Sequence, residues 1–382
     1  MNSSNIIVKK EWEYIDLGQD KVKALLSACP KCFNSCYIRG SFQVQATQYV
    51  GAVYFDDDTV LEVLPKTESS DAEAKKLLET MIRTVYLKPQ YYEKSFLGTV
   101  NDSILEYYVR MFCWEAEEVF RKGVSYGYSR KEENLSCVKG KILFNKDIRN
   151  NNTDRSKIFV SHEIYSDDRP ENRIILKTVK LLQNVTHDSE NMHLLSQIEC
   201  SFKDTKIPQD HQREFRKCTR DRSVQHYESI LEMCYVILNG SYSVYSGEHV
   251  SISLMFDMNI LYERYVAYWI KRNYPDAKIR TQVTGKKIFG QFNMKMDIVM
   301  ELKDKTYVLD TKWKRIKNIN DVQISDAYQM FAYISRFGSC NEAYLLFPKN
   351  SDIHDSKFID DNGNILHVSF IDIFDVKSIC PI

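Results

Sequence analysis

Neither sign of charge prevails in this chain: 52 lysines and arginines stand against 52 aspartates and glutamates, a formal net charge of zero. A protein that grips nucleic acid tightly by itself is commonly basic. Any such contact here must come from a local patch, or with a partner's help. Long apolar runs are missing too. No stretch approaches the roughly 20 residues needed to cross a bilayer, and the opening MNSSNIIVKKEWEY lacks the apolar core of a signal peptide. The ten cysteines are scattered, without the dense spacing of a secreted disulfide scaffold. There is no G-x-x-x-x-G-K-[ST] loop, so the chain itself is not expected to hold a nucleotide in that way. These absences together predict a reduced, cytoplasmic protein with no membrane span.

What is present is ample core material. Apolar residues make up 43% of 382 residues, enough for two or three domains without disorder. No internal repeat and no low-complexity linker interrupts them. Residues 37–64 read as short strands. Tyr49–Phe55, a break at Asp56-Asp57-Asp58, and Val60–Leu64 before Pro65 form a hairpin signal. Helical spacing predicts helices over 71–86 and 103–121, the second ended by Gly123. The polar stretch Asn145–Lys157 reads as a loop, and residues 170–236 as helical. Gly240–Glu248, rich in glycine and serine, marks a boundary. Beyond it come a helix over 257–273, strands over 278–283, 294–300 and 306–312 with a turn at Lys303-Asp304-Lys305, a helix over 326–337 ending at Gly338, and a strand over 343–347. The fold expected is a multidomain α+β protein: a β-rich N-terminal domain over 1–100, a mainly helical middle region over 101–240 and an α/β domain over 241–382.

The chemistry concentrates in the last third. Asp297 lies between Met296 and Ile298; thirteen residues later come Asp310, Thr311 and Lys312. With the two strands folded as a hairpin turning at Asp304, Asp297 and Asp310 fall nearly opposite each other. Strand alternation puts Asp310 and Lys312 on one face. Two carboxylates and an ammonium at one spot suit phosphodiester hydrolysis. The carboxylates would hold Mg²⁺, a hard ion that prefers oxygen ligands. The metal would activate a bound water, and the lysine would orient that water or stabilise developing charge. Thr311, between them, is counted with the metal-holding residues. Glu263, in the preceding helix, is expected to bind or orient a second metal. Gln329 and Tyr333 stand at i and i+4 in the following helix and share a face, beside a core stripe of Ala327, Met330, Phe331 and Ile334. There they could support the site or reach DNA. A D-x-K triplet alone is usually a solvated strand edge; the ordered set of Glu, Asp, D-x-K and Q-x-x-x-Y within seventy-odd residues is what lifts it.

Two weaker signals flank this set. Lys314, Arg315 and Lys317 form a basic run with Lys312. It reads equally as a solvated strand end or as phosphate contacts that position DNA without reading sequence. Cys29, Cys32 and Cys36 lack a nearby fourth ligand, so buried thiols are favoured over structural zinc.

The ordered set resembles the PD-(D/E)XK nuclease superfamily, and more narrowly the McrC family. The narrower resemblance rests on Val60–Lys66, Arg121–Val124 with Tyr128, Val138–Ile142, Asp168–Lys177, Asp257–Glu263 and Asp310–Lys314, spread over about residues 45–350. Met296 stands where the superfamily usually has proline, which is not a ligand. The resemblance implies a restriction-endonuclease-like C-terminal domain and a Mg²⁺-dependent endonuclease acting on double-stranded DNA. It also implies a McrB-type AAA+ GTPase ring as partner, which recognises 5-methylcytosine and translocates DNA. The N-terminal domain would then dock on that ring and stimulate GTP hydrolysis. Other readings stay open: a non-catalytic adaptor of the AAA+ partner, a McrC-like nuclease of a system targeting unmodified sequence, and a repair nuclease without a GTPase.

Overall fold

The computed structural model describes residues 5–38, 40–55, 57, 59–67, 70–86, 103–153, 155–219, 221–240, 252–303, 305–336, 340–349 and 353–375. The chain divides into two compact units: Met1–Ile104 with Ser241–Ile382, and Leu105–Gly240. None of the helices among the described residues is long and apolar enough to cross a membrane.

The N-terminal segment runs β1 (Asn5–Lys10), β2 (Tyr14–Ile15), α1 (Gln19–Ala28), β3 (Phe33–Ile38), β4 (Ser41–Ala46), β5 (Tyr49–Tyr54), β6 (Thr59–Leu64) and α2 (Asp71–Tyr86). The expected hairpin is β5–β6, with Gly51 opposite Val63 and Tyr54 opposite Val60; Asp56 and Asp58 of its break lie outside the described residues. All six residues of β6 are buried, as a near-continuous apolar run implies for an interior strand. A small sheet, β2-β4-β3, packs with α1 around Ile15, Leu25, Phe33, Val44 and Leu61. Cys29 and Cys32 are part of this core.

The second unit holds α3 (Ile104–Lys122, all but its first residue), β7 (Gly127–Leu135), β8 (Lys141–Ile142), α4 (Phe144–Asn150), β9 (Ile158–Ser166), α5 (Pro170–Gln183), α6 (Ser189–Cys200), α7 (His211–Lys217) and α8 (Glu228–Gly240). It is less purely helical than expected, because a three-stranded antiparallel sheet, β7-β9-β8, is built into it. The β7 sequence GYSRKEENL has little apolar alternation to announce a strand. It is held by nine consecutive pairings with β9, from Gly127–Ser166 to Leu135–Ile158. Helix α4 likewise replaces the expected loop. Its large apolar residues Phe144 and Ile148 are exposed, so no core stripe marks it. The Asp147 carboxylate holds it by accepting from Phe159 N at 2.8 Å.

The chain then returns to the sheet it left. Strand β10 (Ile252–Asp257), assigned to no element from the sequence, pairs antiparallel with β5 and completes the order β1-β6-β5-β10. The glycine- and serine-rich boundary after Gly240 lies outside the described residues. There follow α9 (Met258–Asn273), β11 (Lys278–Val283), β12 (Lys287–Ile288), β13 (Phe292–Asn293), β14 (Met296–Leu302), β15 (Lys305–Thr311), α10 (Ile324–Ile334), β16 (Glu342–Pro348), β17 (Ser356–Ile359) and β18 (Ile365–Ile371). Asp257 caps α9 by accepting from Asn259 N at 2.9 Å. Asp304, in the expected turn, and Phe337 and Gly338, at the expected helix end, lie outside the described residues. The second sheet runs β11-β14-β15-β16-β18-β17, with β15, β16 and β18 mutually parallel. Val299, Val308 and Leu345 pack with Met330 and Ile334 of α10 in one core.

Backbone contact at β10 is close enough to dictate a residue. Gly51 has φ +140°, and a Cβ there would lie 1.9 Å from Leu254 O. Gly51→Ala therefore has to push β10 away or break the pairing. We expect a loss of at least about 2 kcal/mol in unfolding free energy. Urea denaturation of the full chain measures this; an unchanged midpoint would mean the β5–β10 approach is looser than described.

Candidate active site

The β14–β15 hairpin is the frame of the site. Its register pairs Ile298 with Leu309, so one further step sets Asp297 across from Asp310. Alternation along β15 puts Asp310 on the face of Val308, which is the α10 face. The side chains then lock one another. Lys312 Nζ lies 2.5 Å from Asp310 Oδ2 and donates to Gln329 Oε1 at 2.9 Å. Gln329 Nε2 donates to Asp310 Oδ1 at 3.2 Å and to the Tyr333 hydroxyl at 2.5 Å. That hydroxyl donates in turn to Lys295 O at 2.6 Å. The amide fits one way round only, with its oxygen toward the ammonium and its NH₂ toward the carboxylate. Across the hairpin, Asp297 Oδ2 accepts from both the backbone N and the Oγ1 of Thr311, each at 3.0 Å.

These contacts assign the sequence candidates. Asp297, Asp310, Lys312 and Gln329 come together. Thr311 donates its hydroxyl and its backbone N–H to Asp297 and so orients that carboxylate. Glu263 is partly buried in α9 and accepts a hydrogen bond from Gln282 Nε2. Burial raises its pKa, and the charge of Asp297 adds to the effect against that hydrogen bond. Among the described residues no three carboxylate, histidine or cysteine side chains gather into one metal-binding group. Glu263 stands beside the aspartate pair rather than within it.

Three expectations need correction. Tyr333 is only 4% exposed, and its hydroxyl is engaged by Gln329 and Lys295 O, an arrangement that suits the supporting role of the two expected for it better than a DNA contact. Phe331, expected in the core stripe of α10, is exposed, and Tyr333 takes its place in the core. The Lys314 ammonium is bound to Asp326 at 2.8 Å and to Gln323 at 3.0 Å, which ties down the start of α10. Arg315 is partly buried, and Lys317 is the exposed member of the basic run. Sequence reasoning missed Lys295, whose charge bears on Glu263, and the partners of Trp313 described below. A lysine two residues before the first strand aspartate was the only signal for the former.

The electrostatics are those of a site one positive charge short. Asp310 is 1% exposed. Burial, and then the charge of Asp297, push its carboxyl up to about 6 against the pull of Lys312. Lys312 is at ion-pair distance from Asp310 Oδ2, yet among the described residues no donor is aligned with that oxygen as a hydrogen bond. Two carboxylates, hard oxygen donors and a single ammonium fit a divalent cation such as Mg²⁺. Asp297 and Asp310 are the residues that would hold it.

A family model described as the McrBC 5-methylcytosine restriction system component matches residues 44–348. The chain belongs to this McrBC family. It is 19% identical over 243 residues, 57% of its own length and 68% of the relative's, to the type IV methyl-directed restriction enzyme EcoKMcrBC of Escherichia coli K12. Its fold is similar, at a TM-score of 0.66 and 16% identity, to a chain in the half-complex of Thermococcus gammatolerans McrB AAA+ hexamers with bound McrC. That likeness covers 98% of this chain and 96% of the other. A second likeness, to the T. gammatolerans McrBC complex, has a TM-score of 0.50 and 18% identity, over 72% of this chain and 90% of that one. The McrBC-family match takes in Glu263, Asp297, Asp310, Lys312 and Gln329.

The raised carboxyl of Asp310 has a stability consequence with a definite sign. The folded carboxyl keeps its proton up to about pH 6, whereas its ordinary value is 3.8. This contribution to stability is complete below pH 3.8 and is lost as pH rises through 6. Asp310→Asn should therefore stabilise the metal-free protein at pH 7.5 by on the order of 1 kcal/mol, with the gap closing near pH 4. Chemical denaturation in EDTA measures it. Added Mg²⁺ should raise the melting temperature of the wild type but not of this variant. A less stable variant at pH 7.5 would show that the Lys312 ion pair outweighs the burial cost.

Proposed function

We propose that this chain is the DNA-cutting, McrC-type subunit of a restriction system, with a PD-(D/E)XK nuclease site that hydrolyses DNA phosphodiester bonds. The observation that carries this reading is the Lys312 ammonium, fixed between Asp310 and Gln329 beside a second carboxylate at one hairpin end. Asp297 and Asp310 would hold Mg²⁺, with Glu263 as an outer carboxylate. When bound, the ion polarises the phosphodiester and lowers the pKa of a water. Lys312 is already oriented by its ion pair with Asp310 and its hydrogen bond to Gln329, so little reorganisation is needed for it to stabilise charge developing on the phosphate or to direct the attacking water. Gln329 holds Lys312 and Asp310 at once, and Tyr333 holds Gln329. Lys317 and Lys295, exposed near the hairpin, suit contacts to the DNA backbone.

The family, and the absence of a phosphate loop from this sequence, support a nucleotide-hydrolysing partner. An AAA+ GTPase ring of McrB type recognises the modified DNA, moves it, and is stimulated by this chain. Zero net charge fits a nuclease whose hold on double-stranded DNA is shared with that ring. The family description favours 5-methylcytosine as the mark.

Plasmid cleavage by the full chain with its AAA+ partner, GTP and Mg²⁺ tests this, on methylated and unmethylated DNA. Asp310→Ala or Lys312→Ala should lower cleavage by at least about a hundredfold, in line with loss of an electrostatic group acting in the transition state. Partner GTPase stimulation should persist in both. Undiminished cleavage by Asp310→Ala would place the chemistry elsewhere. If the wild type stimulates GTP hydrolysis but never cuts, the chain is an adaptor.

A further inference from the structure

Immediately after the Asp310–Lys312 triplet comes Trp313, a residue the chemistry above does not use. It is 5% exposed, and its indole N–H donates to Glu11 Oε2 at 3.0 Å, across 302 positions of sequence. The same oxygen accepts from Lys66 N at 2.9 Å. On its other side the indole packs against the ring of Tyr262, with centroids 5.4 Å apart. Tyr262 is fully buried and directly precedes Glu263. Trp313 is thus clamped between the N-terminal sheet and α9.

Glu11 is a costly residue to keep there. It is 3% exposed, its second oxygen has no hydrogen-bond donor among the described residues, and burial raises its pKa. A buried carboxylate left half-satisfied destabilises the fold, and packing alone would be served better by an apolar residue. The turn that presents it is strained as well. Trp12, the next residue, has φ +69°, a left-handed conformation unfavourable for a bulky side chain. Trp12 N donates to Ala46 O at 3.0 Å, and Gln45 Nε2 donates to Trp12 O at 2.9 Å. The turn is therefore held from both its amide and its carbonyl. Strain that the surroundings over-determine is commonly kept for a positional purpose.

The position being fixed is that of Lys312. This residue lies one step beyond the end of β15, where a strand no longer has a full ladder to hold it. Lys312 N donates to Leu346 O at 3.0 Å, which secures its N-terminal side. The Glu11–Trp313 hydrogen bond and the Tyr262 ring secure its C-terminal side. Lys314 N also donates to Lys312 O at 2.9 Å; the buried indole fixes the next residue of that turn, and with it the direction in which the lysine stem leaves the backbone.

We propose that Glu11 and Trp313 are a positioning pair for the nuclease site: the N-terminal segment, through one buried hydrogen bond, sets the backbone from which Lys312 reaches the scissile phosphate. This rests on the nuclease reading of the site. Metal binding by Asp297 and Asp310 does not depend on the pair, whereas the chemical step does. The N-terminal segment is then part of the cutting machinery as well as a surface for a partner.

The test uses the full chain with its AAA+ partner, with Asp310→Ala as the reference for the nuclease reading itself. If the wild type and Asp310→Ala cut alike, that reading fails and the pair is moot with it. If they differ, Glu11→Ala should lower kcat by about tenfold or more with KM for DNA changed less than about threefold. Glu11→Gln keeps an acceptor for the indole and should restore most of the rate. Trp313→Phe keeps the ring against Tyr262 but loses the N–H, and should fall as far as Glu11→Ala. The double variant should be no slower than either single one. Mn²⁺ binding, read from the ion's electron paramagnetic resonance signal, should stay within about twofold of wild type in every variant of the pair. Trp313→Phe also serves if Glu11→Ala does not fold. Wild-type kcat in a folded Glu11→Ala or Trp313→Phe protein would overturn the proposal. So would multiplicative losses in the double variant, or no rescue by Glu11→Gln.

Discussion

Asp310 sits almost wholly out of water, and a carboxylate is tolerated there only where cations and donors surround it. Much of the local architecture follows from that requirement. Lys312 supplies the charge, Gln329 supplies a donor, and Tyr333 fixes Gln329 against a backbone carbonyl. Asp297, the second carboxylate, works against the arrangement by raising the pKa of the first. A fold selected for stability alone would not set two carboxylates opposite each other at a hairpin end. Their juxtaposition is intelligible where a divalent cation completes the charge balance.

The sheet order serves the same end. Strand β15 is the junction between an antiparallel hairpin with β14 and a parallel pairing with β16. Helices α9 and α10 both pack against it, and its residues are buried from Thr306 to Thr311. Lys312, just beyond its last pairings, is partly exposed. Helix α10 follows from Lys314, whose ion pair with Asp326 joins the basic run to the first turn of the helix. That ion pair holds the start of the helix that carries Gln329.

The McrBC family and the candidate residues were legible in the sequence for different reasons. Alternation and turn residues set the β14–β15 hairpin and its register, and that register alone brings Asp297 opposite Asp310. Helical spacing put Gln329 and Tyr333 on one face. What spacing could not weigh was which of several neighbouring residues faces inward: Phe331 and Tyr333 are both aromatic, two positions apart, and the hydroxyl acceptor at Lys295 O decided for Tyr333. Charged strands were equally opaque. The β7 residues take strand form from β9, a partner more than twenty residues away, and not from their own pattern.

By itself, then, the sequence determined the elements with a clear apolar period, the order of the ionisable groups along them, and through the hairpin register the meeting of two aspartates and a lysine. Only the tertiary structure decided what stands on the far side of those groups. Strand β10 closes against β5 because Gly51 lets its backbone approach, and Glu11 reaches Trp313 because the N-terminal and C-terminal segments fold as one unit. Pairings between residues hundreds of positions apart leave no periodicity to read, since each segment's pattern reports only that it has a buried face and not what buries it.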